Sequence, residues 1–192
     1  MREQLIINLY NLLSNLNKKQ QYNYLKSPIN KNFNCGIYFF FEPDNMINDT
    51  QSRISYIGIT KNNKNNRLEK HQKGGTSSSS FRKHVKEALL VKHNVNFRVE
   101  MISEYIHNLP FLFIPIKNEK NISEIENHCI QIISNANQKT IHKPQDTWLG
   151  FYIDDDLKNS HIWNVQQVLN YDESKNDYDS TLNLLMEYIN LI

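Results

Sequence analysis

Two tyrosine-centred triplets, Gly36-Ile37-Tyr38 and Tyr56-Ile57-Gly58, hold their phenols eighteen residues apart. Side chains alternate across a strand, so Gly36 shares a face with Tyr38, and Gly58 with Tyr56. Glycine weakens a strand, and one beside each phenol is accounted for if a bulky group such as a sugar-phosphate backbone must approach there. Two packed tyrosines with incidental glycines are the plainer alternative. A second feature is Glu126, which at helical spacing shares a face with Ile122, Cys129, Ile130 and Ile133, whereas Glu124 can point to water. An unpaired carboxylate on such a face is costly. A hard cation such as magnesium, keeping most of its waters, would offset that cost, and so would a salt bridge to a core arginine. Arg67 and His71, four residues apart, lie on one face of a helix, although Lys64, Glu69 and Lys70 around them also describe a solvated one. A basic turn at Arg82, Lys83 and Lys86, preceded by Ser77–Ser80, offers cations, hydroxyls and free helix amides to phosphates; a solvated helix end accounts for the same residues.

The elements that must position these groups follow from periodicity. Leu5, Ile6, Leu9, Leu12, Leu13 and Leu16 predict an amphipathic first helix. Cys35–Phe41 and Arg53–Thr60 read as neighbouring antiparallel strands, joined by a long polar hairpin loop over Glu42–Ser52 with Pro43, Asp44, Asn45 and Asn48. The segment Lys64–Gln72 predicts a short helix stopped at Gly74 and Gly75. A second helix begins in the serine run and carries Phe81, Val85, Ala88 and Leu89. Phe97, Val99 and Met101 alternate as a third strand would, and Phe111–Ile116, with Pro115, reads as an edge strand. Asn121 with Glu124 resembles a helix cap ahead of Ile122, Ile125, Cys129, Ile132, Ile133 and Ala136. Leu182, Leu185, Met186 and Ile189 predict a last helix, and Trp148–Asn170 shows no clear period.

Composition bounds the rest. A chain of 192 residues with ten tyrosines and nine phenylalanines folds, and its length suits one domain with terminal extensions. No stretch approaches the ~20 apolar residues that cross a bilayer, and Met1–Lys19 lacks a secretory cleavage site, so a cytoplasmic location is expected. Cys35 and Cys129 lack zinc-ligand spacing and read as reduced, buried thiols. A net charge of +2 neither supports nor excludes nucleic acid, because phosphate binding depends on where cations cluster. Asn, Lys and Ile are abundant as in an AT-rich genome, so single asparagines carry little weight. Trp148, Trp163 and Tyr171 suit a core or a DNA-reading surface, with the core favoured.

In order and on paired strands, the two triplets resemble the motif that names the GIY-YIG nucleases. The resemblance spans roughly Cys35 to Asn137 and implies an α+β fold: a small mixed or antiparallel three-stranded sheet flanked by helices. Residues 31–140 would then be the nuclease core, with helical extensions over 1–30 and 141–192. It implies that Arg67 contacts the scissile phosphate, with His71 one turn later. Glu126 would bind one divalent ion, magnesium or manganese, and Tyr38 and Tyr56 would serve the attacking water and the phosphate. Tyr38 would be the base, its phenol, ordinarily near ~10, lowered by Arg67 and the ion. Gly36, Gly58, Arg82, Lys83, His84 and Asn137 are the expected substrate contacts, His84 and Asn137 by approximate position alone. The implied activity is metal-dependent endonucleolytic hydrolysis of DNA, double-stranded, to 5′-phosphate and 3′-hydroxyl ends. A compact member suggests a restriction-type enzyme, and a palindromic site would favour a symmetric dimer. A structure-specific repair or RNA nuclease, and an inactive nucleic-acid-binding module, are the alternatives.

Overall fold

The computed structural model describes residues 2–25, 35–48, 51–61, 67–94, 97–116, 120–134, 142, 144–153, 155–168 and 170–192. Its centre is an antiparallel sheet ordered β1-β4-β2-β3, formed by β1 (Asn23–Tyr24), β2 (Gly36–Asn48), β3 (Gln51–Thr60) and β4 (Pro110–Pro115). The α+β architecture is the expected one, with four strands where three were anticipated; the fourth is the two-residue β1 beside β4. Flanking β1, β4 lies inside the sheet rather than at its edge, and its buried run from Pro110 to Ile114 suits a strand covered on both faces. The β2–β3 hairpin also runs further than the expected loop, continuing through irregular pairings at Met46 and Asn48.

Helices α1 (Arg2–Gln20), α2 (Arg67–Lys73), α3 (Ser80–His93), α4 (Glu100–Asn108), α5 (Ile122–Ile133), α6 (Asp155–Ser160) and α7 (Tyr178–Asn190) surround the sheet, with a 3₁₀ turn at Leu149–Tyr152. α4 replaces the strand expected from Phe97, Val99 and Met101. Ile102 and Ile106, buried and four residues apart, hold a helical face, whereas Val99 is 64% exposed and has nothing to alternate against. Ser79 caps α3 by accepting from the Arg82 amide, while Asn121 ahead of α5 makes no side-chain cap bond.

The strands sort their side chains to two faces. Ile37, Phe39, Ile57, Ile59, Leu112 and Ile114 meet α1, α5 and α7. Tyr38, Phe40, Tyr56, Phe111 and Phe113 meet α2, α3, α4 and the turn at Trp148. Trp148 and Trp163 are core residues; Cys129 is buried and Cys35 half-buried, both as free thiols. Among the described residues no helix is long and apolar enough to cross a membrane.

Candidate active site

Register decides how the phenols sit. Tyr38 pairs across the sheet with Gly58, and Phe40 with Tyr56, so the two tyrosines stand diagonally on one face with ring centroids 6.3 Å apart. The absent side chain at Gly58 is what lets the Tyr38 ring lie down: a Cβ there would stand 2.6 Å from Tyr38 Cζ. At Gly36 a Cβ would stand 2.5 Å from Phe113 Cζ and closer still to the Ile114 carbonyl oxygen. The open approach expected at Gly36 and Gly58 is therefore filled by the protein's own atoms, the Tyr38 side chain at Gly58 and a backbone carbonyl with the Phe113 ring at Gly36. Phe81, from the first turn of α3, stacks on Tyr56 at 4.5 Å and 3° and holds that ring upright.

His71 descends from α2 into this aromatic layer and is fully buried. Its Nε2 is 2.9 Å from the Tyr38 hydroxyl, and its Nδ1 is 2.8 Å from Ser79 Oγ. Burial first, then the nearby Arg67 and Arg82 cations, lowers its pKa to about 3, so the ring is neutral and one nitrogen donates while the other accepts. Ser79, both cap and partner, ties the imidazole to the start of α3.

Arg67 reaches the phenols from the first residue of α2 and lies beside Tyr56, whose proximity raises the guanidinium pKa further. Burial raises Tyr56 to about 12, with Arg67 opposing and the neighbouring Tyr38 and Ser80 hydroxyls lowering it as well. Tyr38 is held well above the ordinary phenol value, by burial and then by Tyr56, so Arg67 does not bring it towards neutrality. Glu126 completes the group from α5. Burial raises its carboxyl to about 7 against the pull of Arg67, Lys61 and a hydrogen bond from the Ile59 amide.

These groups border a cavity of about 120 Å³ lined by Tyr56, Arg67, Ser80 and Glu126, with Asn164 and Gln166 on the far side. Tyr56 faces the cavity, and Tyr38 lies behind it with the two ring centroids 6.3 Å apart. Larger hollows elsewhere, such as that of about 250 Å³ between Glu42, Lys92 and Trp148, hold none of these groups. Among the described residues no three His, Cys, Asp or Glu side chains gather. A site of one carboxylate still fits a magnesium-like ion, which keeps several waters and shares a substrate phosphate. Glu126, desolvated and titrating near neutrality, is the donor whose charge such an ion would balance.

Tyr38, Tyr56, Arg67, His71 and Glu126 thus meet, although they come from β2, β3, α2 and α5. The basic turn does not join them. Arg82 is buried and points inward, donating to the His71 carbonyl at 2.9 Å and to Ser103 Oγ at 2.9 Å, so it fastens α2 and α4 to α3. Lys83 and His84 lie beside Glu87 on their own helix, at 3.8 and 3.4 Å. Asn137 lies outside the described residues. Ser79 and Ser80 come from the serine run expected to offer a cap and hydroxyls to phosphates, and here they lie beside His71 and Tyr56; Asn164 and Gln166 were not anticipated, and nothing near them in the sequence marks them.

The family model described as GIY-YIG domain matches the chain over residues 1–101 and 98–191. The chain therefore belongs to the GIY-YIG family, a family of nucleases, and the match reaches through α1 and α7 as well as the two triplets. No curated protein and no solved structure matched it.

Proposed function

We propose that this chain is an endonuclease that hydrolyses phosphodiester bonds in double-stranded DNA, at the pocket of Tyr56, Arg67 and Glu126. The observation that carries the reading is one series of adjoining groups running inward from that pocket: Arg67 beside Tyr56, Tyr56 beside Tyr38 with ring centroids 6.3 Å apart, and Tyr38 hydrogen-bonded to His71, which is bonded in turn to Ser79. Arg67 binds the non-bridging oxygens of the scissile phosphate and stabilises the charge that grows on them. The proton of the attacking water enters at Tyr56, whose own proton passes to Tyr38; the Tyr38 proton passes in turn to His71 Nε2. In that sense His71 carries its resting proton on Nδ1 and donates it to Ser79 Oγ. A bound phosphate offsets part of the positive field of Arg67, which after burial is the largest influence holding His71 neutral, and so makes the imidazole a better acceptor. The phenols work as a relay rather than as phenolates, because burial keeps both protonated. A divalent ion held by Glu126, when bound, supplies positive charge for the phosphate and the departing 3′ oxygen.

The products are then 5′-phosphate and 3′-hydroxyl ends. Family membership supports the nuclease class, and the restriction-type role rests on the family resemblance. Purified protein is incubated with plasmid, branched DNA and RNA, with magnesium or with chelator. Tyr38→Phe, Tyr56→Phe and Glu126→Gln should each keep the circular dichroism of the parent and lose at least roughly 100-fold in cleavage. Retained cutting by the Tyr38 variant would reject the relay. Discrete plasmid bands mark restriction-type cleavage, branch-limited cuts a repair enzyme, and binding without cutting an inactive module.

A further inference from the structure

β3 is the outer strand of the sheet, so every second backbone amide and carbonyl along it points away from β2 and needs a partner. The chain meets that need from an unexpected place, more than a hundred residues later. The Trp163 amide donates to the Ser55 carbonyl at 2.7 Å. The Asn164 side chain closes on Ile57 from both sides, accepting from its amide at 3.0 Å and donating to its carbonyl at 2.8 Å. The next outward amide, that of Ile59, goes to Glu126. Three residues past Asn164 the same segment is held to α5, where Gln131 Nε2 donates to Gln167 Oε1 at 3.3 Å. Gln167 turns the backbone through the left-handed region at φ 65°, a conformation that side-chain-bearing residues seldom adopt. Residues 163–167 therefore bridge the strand that carries Tyr56 and the helix that carries Glu126.

Between the two anchors, Val165 is 45% exposed and Gln166 is exposed, and both border the pocket of Tyr56, Arg67 and Glu126. We propose that residues 163–167 are a strap that completes the active site, and that the Gln166 amide contacts the nucleic-acid strand beside the scissile phosphate. The proposal rests on the nuclease reading above. An amide suits that position because its NH₂ can donate to a phosphate or sugar oxygen and its carbonyl can accept from a base edge. Anchored at Asn164 and Gln167, the side chain is carried on a short, fixed segment and does not need an ordered long loop to reach the substrate.

The test is a charge series at one position, read as KM, kcat and their salt dependence on long duplex DNA. Gln166→Ala should raise KM about threefold to tenfold, the loss of one hydrogen bond. Gln166→Glu should raise KM further, and Gln166→Lys should lower it and steepen the salt dependence by ~1 unit of slope, as one added phosphate contact does. In all three, kcat stays within about twofold of the parent, since only uniform binding changes. Asn183→Lys, which adds the same charge on the exposed side of α7 against the opposite sheet face, should leave KM within about twofold because solvent ions screen it. If the parent cuts and all these proteins share one KM and one salt slope, the strap contact is overturned while the nuclease reading stands. If the parent neither cuts nor binds duplex DNA, the nuclease reading itself has failed.

Discussion

The two faces of one sheet differ in kind. On the side of α1, α5 and α7, alternate residues of the strands are Ile37, Phe39, Ile57, Leu112 and Ile114, packed against the aliphatic stripes of three helices. On the side of α2, α3 and α4 the intervening residues are Tyr38, Phe40, Tyr56 and Phe113, and among them sit a buried histidine, a buried arginine and hydroxyls that need partners. The first face is mostly a matter of shape, at roughly 1.5–3 kcal/mol for each large apolar side chain buried. Its buried polar groups pair at its margins, as where Tyr10 accepts from the Ile54 amide at 2.7 Å and Tyr178 donates to Gln131 at 3.0 Å. The second must satisfy each polar atom it takes from water, and an unpartnered group costs about 1–3 kcal/mol. A polar, aromatic layer of this type is tolerated where the other side of the same strands is mostly apolar core. Glu126 belongs to neither face alone: its helix packs on the aliphatic side, while its carboxylate reaches round β3 to the Ile59 amide and Arg67. The site is therefore at the strand edge, where the two faces meet.

Single substitutions separate the faces. Leu112→Ala, in the middle of the aliphatic face and opposite Phe39, should lower unfolding free energy by ~2–5 kcal/mol in urea titration. Its kcat per folded molecule should stay near that of the parent; a large fall in kcat would show that the two faces are not independent. Arg67→Ala should do the reverse, losing roughly 100- to 1,000-fold in kcat, the effect of deleting one transition-state donor, with an unchanged melting temperature. Gly58→Ala lies between these extremes. Its methyl would press on the Tyr38 ring, so ~1–3 kcal/mol of stability should go with a kcat loss of roughly 10- to 100-fold.

The smallest expected effect concerns the edge itself. Because burial raises the Glu126 carboxyl to about 7, the folded chain binds a proton between the ordinary carboxylate range and about 7 that the unfolded chain releases. Its contribution to stability thus falls as pH rises through that window and stays lowered above about 7. In chelator, Glu126→Gln should melt ~2–4 °C above the parent at pH 8, the shift about 1 kcal/mol makes in a chain of this size. That gain should vanish near pH 5. A variant less stable than the parent at pH 8 would mean the carboxylate is a net structural asset, contrary to the face it occupies.

Elements with long, regular periods were legible in the residues. α1, α5 and α7 each carry an apolar stripe, and β2 and β3 stand where their aromatic and β-branched runs put them. The misreadings have physical causes. Three alternating residues from Phe97 to Met101 are too short a pattern to outweigh Ile102 and Ile106 one turn further on. Pro115 suggested an edge for β4, yet it ends the strand and leaves the preceding residues free to pair on both sides. β1 is two residues long and has no pattern to read. At the site, the glycine–tyrosine triplets, Arg67, His71 and Glu126 were visible as types and spacings. Arg82 was visible only as a basic residue, and nothing local distinguishes an arginine aimed at solvent from one aimed at the His71 carbonyl.

By itself the sequence determined which side chains share a face, since the helical and strand repeats are set by backbone stereochemistry over a few residues. That was enough to pair Tyr38 with Tyr56 in character and to turn Glu126 inward. Tertiary structure alone decided who touches whom: that Gly58 lies under Tyr38, that His71 meets Ser79, and that Asn164 closes the edge of β3. Those contacts depend on strand register and on the docking of elements far apart in the chain, which no local period specifies.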